Sequence, residues 1–306
     1  MVLSKRWQPL WKLVPKLVYD DEGYQNIVYG KFSRFVDRSL ILHEAPIQAL
    51  DFKLVQTSGA ADIGIWTAIA VKRCVRELSI ESSPSTTPVT LPRSLYTGCT
   101  TLVTLKLKSV TLVDVSSLPS FPTLKTLSLI CVKYPGDEFV KSLLSNCHVL
   151  QDLEVERFDN DDVTVFTIVM PSLKSLHFIG DEEKDGEAGL VIDAPLVENM
   201  YIHNVVSGFS VIKNDMPKIV KARIVVSNSH PGTILGYITS VKRLRLCLFS
   251  TSKEVHPAGT DFQYLVNFHP IPDQTRPCWI EPSSIPECLL SSLETLKWEK
   301  YEGREE

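Results

Sequence analysis

Charged side chains in two stretches of this sequence are its best candidates for chemistry with a ligand. One stretch alternates carboxylates with apolar residues, at Asp152, Glu154 and Glu156. The other stretch contains two equally spaced pairs of cations. These cations are Lys221, Arg223, Arg243 and Arg245. Side chains two residues apart on a β-strand point to the same face, so both stretches predict strands with one charged face. Such faces bind groups of opposite charge, and arginine pairs bidentately with carboxylates and phosphates.

Residue patterns for covalent or metal chemistry are missing from the sequence. It contains neither a glycine-rich phosphate loop nor Gly-x-Ser-x-Gly. Its 7 histidines include no pair at the His-x-x-x-His spacing that places two zinc ligands on one helix face. The carboxylates of Asp159, Asp161 and Asp162 lie between a predicted strand and the next turn, which favours a solvated turn over an acid–base site. We therefore expect no enzyme activity, no metal and no cofactor.

Composition narrows the class of protein further. The 306 residues are 44% hydrophobic and 22% charged with a net charge of -4, which fits one elongated repeat domain or two compact domains. The longest apolar run, residues 63–71, is about half the length of a membrane helix, so no membrane span is expected. Nucleic acid is the less favoured ligand, because the net charge is negative and aromatic interleaving is limited to Tyr201. The 7 scattered cysteines, without Cys-x-x-Cys or an N-glycosylation sequon, favour a reducing compartment, the cytoplasm or the nucleus.

An internal repeat positions both charged stretches. Its template has apolar residues at the first, fourth and sixth positions, and ten segments match it in order. The matches are Ile47/Leu50/Phe52, Val75/Leu78/Ile80, Leu102/Leu105/Leu107, Leu124/Leu127/Leu129, Leu150/Leu153/Val155, Leu173/Leu176/Phe178, Val197/Met200/Ile202, Ile219/Ala222/Ile224, Val241/Leu244/Leu246 and Leu293/Leu296/Trp298. First positions are 22 to 28 residues apart, apart from one gap of 52, in which a degenerate copy is expected near residues 262–268. Periods of this length are typical of leucine-rich repeats.

This repeat predicts an α/β leucine-rich-repeat solenoid with a parallel sheet from about Ile47 to Trp298. The fourth and sixth positions alternate with polar residues, as in a strand with one buried face. No unit can bury its apolar face alone, so the units must stack. In a stack, the fourth-position leucines form one buried row. The leucines that test this are Leu78, Leu105, Leu127, Leu153 and Leu176.

The segments that return from one strand to the next are expected to be helical or irregular. Asp137 and Glu138 precede Phe139, Val140, Leu143 and Leu144 at helical spacing, with Asn146 near the end. Asp62 is predicted to cap a second helix that buries Ile63, Trp66 and Ala70. Val28, Phe32, Phe35 and Val36 mark one face of an N-terminal helix. Cys74, Cys99 and Cys147 precede strands, and small buried thiols are expected there.

Two terminal motifs resemble a known family. The run VLSKRWQPLWKLVPKLVYDD is similar to the end of the F-box of plant F-box/FBD/leucine-rich-repeat proteins, and CWIEPSSIPECLLSSLETLKWEKYEG is similar to the start of their FBD domain. The residues that match the F-box motif are Leu3, Ser4, Lys5, Arg6, Trp7, Leu10 and Trp11. The resemblance implies an F-box remnant and helical linker over residues 1–44, the repeat solenoid over 45–270, and an FBD-like segment over 271–306 that completes the last repeat. Both terminal domains are then truncated.

The resemblance also implies a function. In that family the F-box docks on the Skp adaptor of a cullin ubiquitin ligase, and the repeats are thought to hold the protein to be ubiquitinated. Because the match starts inside the last F-box helix, we expect weak or no adaptor binding, with packing onto the first repeats as the role of these residues. A free-standing repeat scaffold that binds a partner without ligase coupling is the alternative.

The exposed face of the sheet is where a partner is expected to bind. The third, fifth and seventh template positions point away from the core, which places the four cations on two neighbouring strands. Our hypothesis is that a partner presents an acidic or phosphorylated segment to these cations. The competing interpretation is a solvated polar face. The acidic strand with Asp152, Glu154 and Glu156 is the second candidate surface.

Overall fold

The structure is a computed structural model. It describes residues 10–22, 31–54, 60–82, 89–113, 119–158, 161–180, 189–204, 209–227, 236–249 and 292–299. Every structural statement below concerns these residues. The predicted degenerate repeat at 262–268 lies outside them, as does most of the predicted FBD-like segment.

Eleven parallel strands form one large sheet. In sheet order these strands are β1 (Lys16–Asp20), β2 (Ala49–Leu54), β3 (Glu77–Ser82), β5 (Thr104–Lys108), β7 (Thr126–Ile130), β8 (Asp152–Glu156), β10 (Ser175–Ile179), β12 (Asn199–Asn204), β14 (Lys221–Ser227), β15 (Arg243–Phe249) and β16 (Thr295–Glu299). All ten predicted repeat strands are confirmed. The sheet begins one strand earlier than predicted, because β1 pairs in parallel with β2.

The register of the sheet follows the repeat template. Fourth-position residues pair across neighbouring strands, as in Leu105 with Leu127 and Leu153 with Leu176. The predicted row of leucines is confirmed, since Leu78, Leu105, Leu127, Leu153 and Leu176 are each no more than 2% exposed. Because each strand's row packs against the rows of the neighbouring strands, the stacking of repeats builds the core.

The back of the sheet has a helical half and a stranded half. The helices are α1 (Lys31–Leu42), α2 (Ala60–Lys72), α3 (Ser94–Gly98) and α4 (Asp137–Ser145), and a short 3-10 helix spans Leu10–Leu13. Further along the chain, return segments form a second parallel sheet of β9 (Val165–Val169), β11 (Gly189–Asp193) and β13 (Phe209–Ile212). A separate two-stranded pair is formed by β4 (Val89–Thr90) and β6 (Val110–Thr111). The back layer and the large sheet share one hydrophobic core.

Two of the three predicted helices are confirmed with corrections, and α4 matches its prediction. Ile63, Trp66 and Ala70 are buried in α2, but that helix begins at Ala60, so Asp62 lies in its first turn. There the Asp62 carboxylate accepts a hydrogen bond of 2.7 Å from Ser33 of α1 and links the two helices. The expected inward position of Phe35 is wrong, because its side chain is 55% exposed while its neighbour Val36 is buried.

Hydroxyl groups in the turns connect successive repeats. The residue just before a first template position donates its hydroxyl to a backbone carbonyl of the preceding repeat. Thr101 bonds to Val75 at 3.1 Å, Thr123 to Leu102 at 2.7 Å and Ser172 to Leu150 at 2.8 Å. Since an unpaired buried carbonyl is costly, these bonds stabilise the stacking of one turn on the next.

Candidate protein-binding face

The open face of the large sheet is the side that carries no return segments. Burial alternates along its strands, as in β5, where Leu105 and Leu107 are buried while Lys106 and Lys108 are exposed. Third and fifth template positions point outward, as the sequence predicts, although Ser128 of β7 and the seventh-position residues Val225 and Cys247 are buried. Because the strands are in register, each of these positions forms a row across the sheet.

Four cations lie together on the open face, as predicted. Lys221 pairs with Arg243 and Arg223 pairs with Arg245 across β14 and β15, and all four side chains are exposed. We call these four residues the basic patch. The row continues to Lys297 of β16, which pairs with Arg245 and is also exposed. Exposed arginine and lysine side chains on neighbouring strands can pair with anionic groups.

The predicted acidic residues occupy β8 on the same face. Asp152 is exposed, while Glu154 and Glu156 are half-buried. Ser128 of β7 donates a hydrogen bond of 2.7 Å to the Glu154 carboxylate and orients it. Burial and the neighbouring Glu154 raise the pKa of the Glu156 carboxyl, against the opposing effects of His177 and Lys108. We call Asp152, Glu154 and Glu156 the acidic strand.

An aromatic contact lies between the basic patch and the acidic strand. His177 of β10 and Tyr201 of β12 are cross-strand neighbours, with ring centroids 4.5 Å apart in an edge-on arrangement. The guanidinium carbon of Arg223 lies 5.3 Å from the Tyr201 ring centroid, within cation–π distance. The His177 Nε2 atom is buried without a hydrogen-bond partner. Sequence analysis did not predict this stacking, although both residues occupy the fifth template position.

The aspartates after β8 are not all solvated, which corrects one prediction. Asp161 is buried and accepts two hydrogen bonds from the Arg157 guanidinium, at 2.7 and 2.9 Å. That guanidinium also donates to the backbone carbonyl of Val163. Asp162 is exposed and pairs with Lys133 at 3.2 Å, and Asp159 lies outside the described residues. The Arg157–Asp161 pair therefore holds the turn together and is not available to a ligand.

Cysteine burial agrees with the sequence at two of three positions. Cys99 and Cys147 are buried, and burial raises the pKa of their thiols to about 11 and about 12. Cys74 is exposed, so its predicted burial is wrong. It has φ 55 in the turn after α2, a left-handed conformation that places it at the surface. In the described part of the chain, no three His, Cys, Asp or Glu side chains are grouped as a metal site requires.

Only the end of the predicted F-box remnant is described. Leu10 is 49% exposed and Trp11 is half-buried, and both lie in the short 3-10 helix. The remaining matched residues, Leu3, Ser4, Lys5, Arg6 and Trp7, lie outside the described residues. No helix among the described segments is long and apolar enough to cross a membrane.

Comparison with known proteins agrees with the repeat architecture. Residues 63–223 match the model of the leucine-rich repeats of the FBD-associated F-box protein At5g56370, and residues 281–306 match the FBD model. The chain belongs to the FBD-associated F-box family. The F-box/FBD/leucine-rich-repeat resemblance of the terminal motifs is thereby confirmed.

Relatives in this family match the whole chain. The probable FBD-associated F-box protein At1g32375 of Arabidopsis thaliana is 49% identical over 100% of this chain and 81% of its own length. The putative FBD-associated F-box protein At5g50270 of the same plant is also 49% identical, over 85% of its own length. The F-box/FBD/LRR-repeat protein At5g56420 is 40% identical over 99% of this chain. No solved structure matches the chain significantly.

Proposed function

We propose that this chain is a protein-binding leucine-rich-repeat module that resembles the substrate-recognition subunit of a Skp–cullin–F-box ubiquitin ligase, and that it holds its target on the open face of the large sheet. Membership of a family whose names carry both F-box and leucine-rich repeats supports the ligase role. The basic patch on β14 and β15 is the observation that carries the binding role. In this proposal the chain positions a target and performs no chemistry itself.

The open face suits recognition because its charges are held on a rigid support. Arg223 and Arg245 extend from strands whose alternate residues, Ala222, Ile224 and Leu244, are buried in the core. Binding groups on regular strands are positioned more precisely than groups on loops. An acidic segment of a target pairs with these arginines through two parallel hydrogen bonds each, which gives geometric specificity as well as attraction.

A double substitution tests the binding role. Arg223→Ala with Arg245→Ala should weaken target capture from a plant extract, while the thermal unfolding midpoint changes little because exposed charges contribute little to stability. Capture should also weaken with added salt, which screens exposed ion pairs. Lys106→Ala, which removes an exposed cation of β5 on the same face, is the matched control and should leave capture intact. If the double variant captures the same proteins at the same level, the basic patch is merely solvated.

The ligase role needs a separate measurement. Purified Skp adaptor is titrated into the chain, and into a full-length member of the family as a positive control. We expect the chain to bind the adaptor weakly or not at all, and an affinity equal to that of the control would contradict this expectation and support ligase coupling. Retained target capture without adaptor binding would instead identify the chain as a free-standing scaffold.

A further inference from the structure

The acidic strand and the basic patch lie at a fixed separation on one face. Sheet order places β10 and β12 between β8 and β14, with β15 one strand further. At about 4.8 Å per strand, the carboxylates lie roughly 14–19 Å from the cations. An extended peptide advances about 3.3 Å per residue, so this distance corresponds to about four to six residues.

The acidic strand is bounded on its other side by cations. Lys106 and Lys108 of β5 are exposed two strands before β8, and Lys108 pairs with Glu81 at 2.8 Å. Moving from β8 to β15, the open face is therefore anionic, then aromatic, then cationic, whereas Lys108 of β5 is already paired with Glu81. A uniformly acidic ligand that covers β8 to β15 would be repelled by Asp152, Glu154 and Glu156. A uniformly basic ligand would be repelled by the basic patch.

We infer that the ligand of this face is a single extended protein segment of mixed charge, lying across β8 to β15. Its basic side chain contacts the acidic strand, and its acidic side chains, about four to six residues away, contact the basic patch. The inference rests on the proposed function, because it specifies the target segment that the open face holds. It also excludes nucleic acid, whose regularly spaced phosphates would lie against the carboxylates of β8.

The aromatic contact provides the middle of this site. Tyr201 is half-buried and lies between His177 on one side and Arg223 on the other. Its ring is fixed by both neighbours, which lowers the entropy lost when a ligand packs against it. An apolar residue of the ligand, between its two charged ends, packs against the Tyr201 ring.

Synthetic peptides test the inference directly. The main probe has two lysines, a spacer of about five neutral residues that includes a leucine, and two glutamates, and it is made in both sequence directions. The comparison peptides keep the glutamates and replace the lysines with serine, or keep both charged ends without the spacer. Binding to the full chain is measured by fluorescence anisotropy. We expect the spaced peptide, in one direction, to bind about tenfold more tightly than either comparison peptide.

Charge reversals in the protein assign each end of the peptide. Glu154→Lys should weaken the spaced peptide about tenfold while the purely acidic peptide binds no less tightly. Arg223→Glu should weaken both peptides. Glu77→Lys, the same kind of reversal at an exposed position of β3, is the matched control and should change neither. Thermal unfolding of each variant checks that the fold is retained.

The outcomes separate this inference from the proposed function. If the acidic peptide binds as tightly as the spaced peptide, or if Glu154→Lys leaves the spaced peptide unaffected, the mixed-charge inference is wrong. The proposed target binding survives that result as long as the double arginine variant still loses capture from extract. If Arg223→Glu binds both peptides as tightly as the parent, and the double alanine variant captures its target at the parent level, both the inference and the proposed binding face are wrong.

Discussion

Arg157 and Asp161 form an ion pair inside the protein, between the end of β8 and the start of β9. Their side chains are 3% and 1% exposed, and the Asp161 carboxylate also accepts the backbone N–H of Val163 at 3.1 Å. The Arg157 guanidinium lies 5.7 Å from the centroid of the Phe166 ring, in the back sheet. One ion pair thus links the large sheet, the turn and the back sheet.

Asp161→Asn should destabilise the protein by about 3 kcal/mol, because removal of one partner leaves the other charge buried and uncompensated. The neighbouring Asp162→Asn is the control. Its pair with Lys133 is about half exposed on both sides, and asparagine tolerates its φ of 59. Urea unfolding of both variants measures the difference. Equal midpoints for the two variants would contradict a structural role for the buried pair.

The stability of the protein should depend on pH through Glu156 of the open face. Its pKa is raised, so protonation is favoured in the folded state, and stability is lost as pH rises through the folded pKa. Glu156→Gln removes that loss and should stabilise the protein near neutral pH by less than about 1 kcal/mol, since the site is half exposed and screened. The advantage should vanish below about pH 4, where glutamate itself is protonated. Unfolding free energies measured across this range check the sign. A variant less stable than the parent at neutral pH would contradict it.

Residue spacing alone could not predict the burial of every side chain. The four-residue separation of Arg157 and Asp161 is also common in solvated turns, so their burial could not be predicted from it. Phe35 and Val36 are apolar neighbours on one helix, and only tertiary packing decides that Val36 is buried while Phe35 is exposed. By contrast, the basic patch was predictable, because alternation on a strand fixes which residues point outward.

The turns are the elements that set the spacing between repeats. Thr123 donates its hydroxyl to two carbonyls of the preceding turn, Thr100 at 2.9 Å and Leu102 at 2.7 Å. Thr123→Val keeps the shape of the side chain and removes the donor, so it should cost about 1 kcal/mol. Thr104→Val, at a half-exposed position of the open face, should cost less. Thermal unfolding compares the two, and an equal loss would mean that the turn hydroxyls do not stabilise stacking.

Strands were predictable as elements where the template recurs at the repeat spacing, but two groups were missed. Val14, Leu17 and Tyr19 do have the template spacing, yet the resemblance of that run to an F-box directed the interpretation towards a helix. The back-sheet strands also alternate apolar residues, and Val163, Phe166 and Ile168 have the template spacing, but they lie between two regular repeats and outside the step of 22 to 28 residues. These segments form strands because they pair with one another, and the sequence of a single repeat does not predict that pairing.

At the scale of the whole molecule, the free energy of unfolding depends on the contacts between neighbouring repeats. Leu127 and Leu153 are paired on the adjacent strands β7 and β8, whereas Leu78 and Leu176 are separated by three strands. A leucine-to-valine change at any of the four should cost about 1 kcal/mol, since one buried methylene is removed.

Double-mutant cycles measure how these changes combine. The adjacent pair should show a coupling energy of at least about 0.5 kcal/mol, and the distant pair should be additive within that margin. Equal coupling for both pairs would show that the chain unfolds around one common core rather than repeat by repeat.

The change from helices to strands on the back of the sheet has a geometric consequence. A helix is about 10 Å wide and a strand needs about 4.8 Å, so helices behind the sheet spread successive repeats apart on that side and bend the stack into an arc. Where β9, β11 and β13 replace the helices, both layers advance by equal steps and the stack should run straight. The arc therefore belongs to the part with α2, α3 and α4, and the straight part begins near β8. The open face in front of β9, β11 and β13 lies along that straight part, so a ligand can remain extended over it without following a curve.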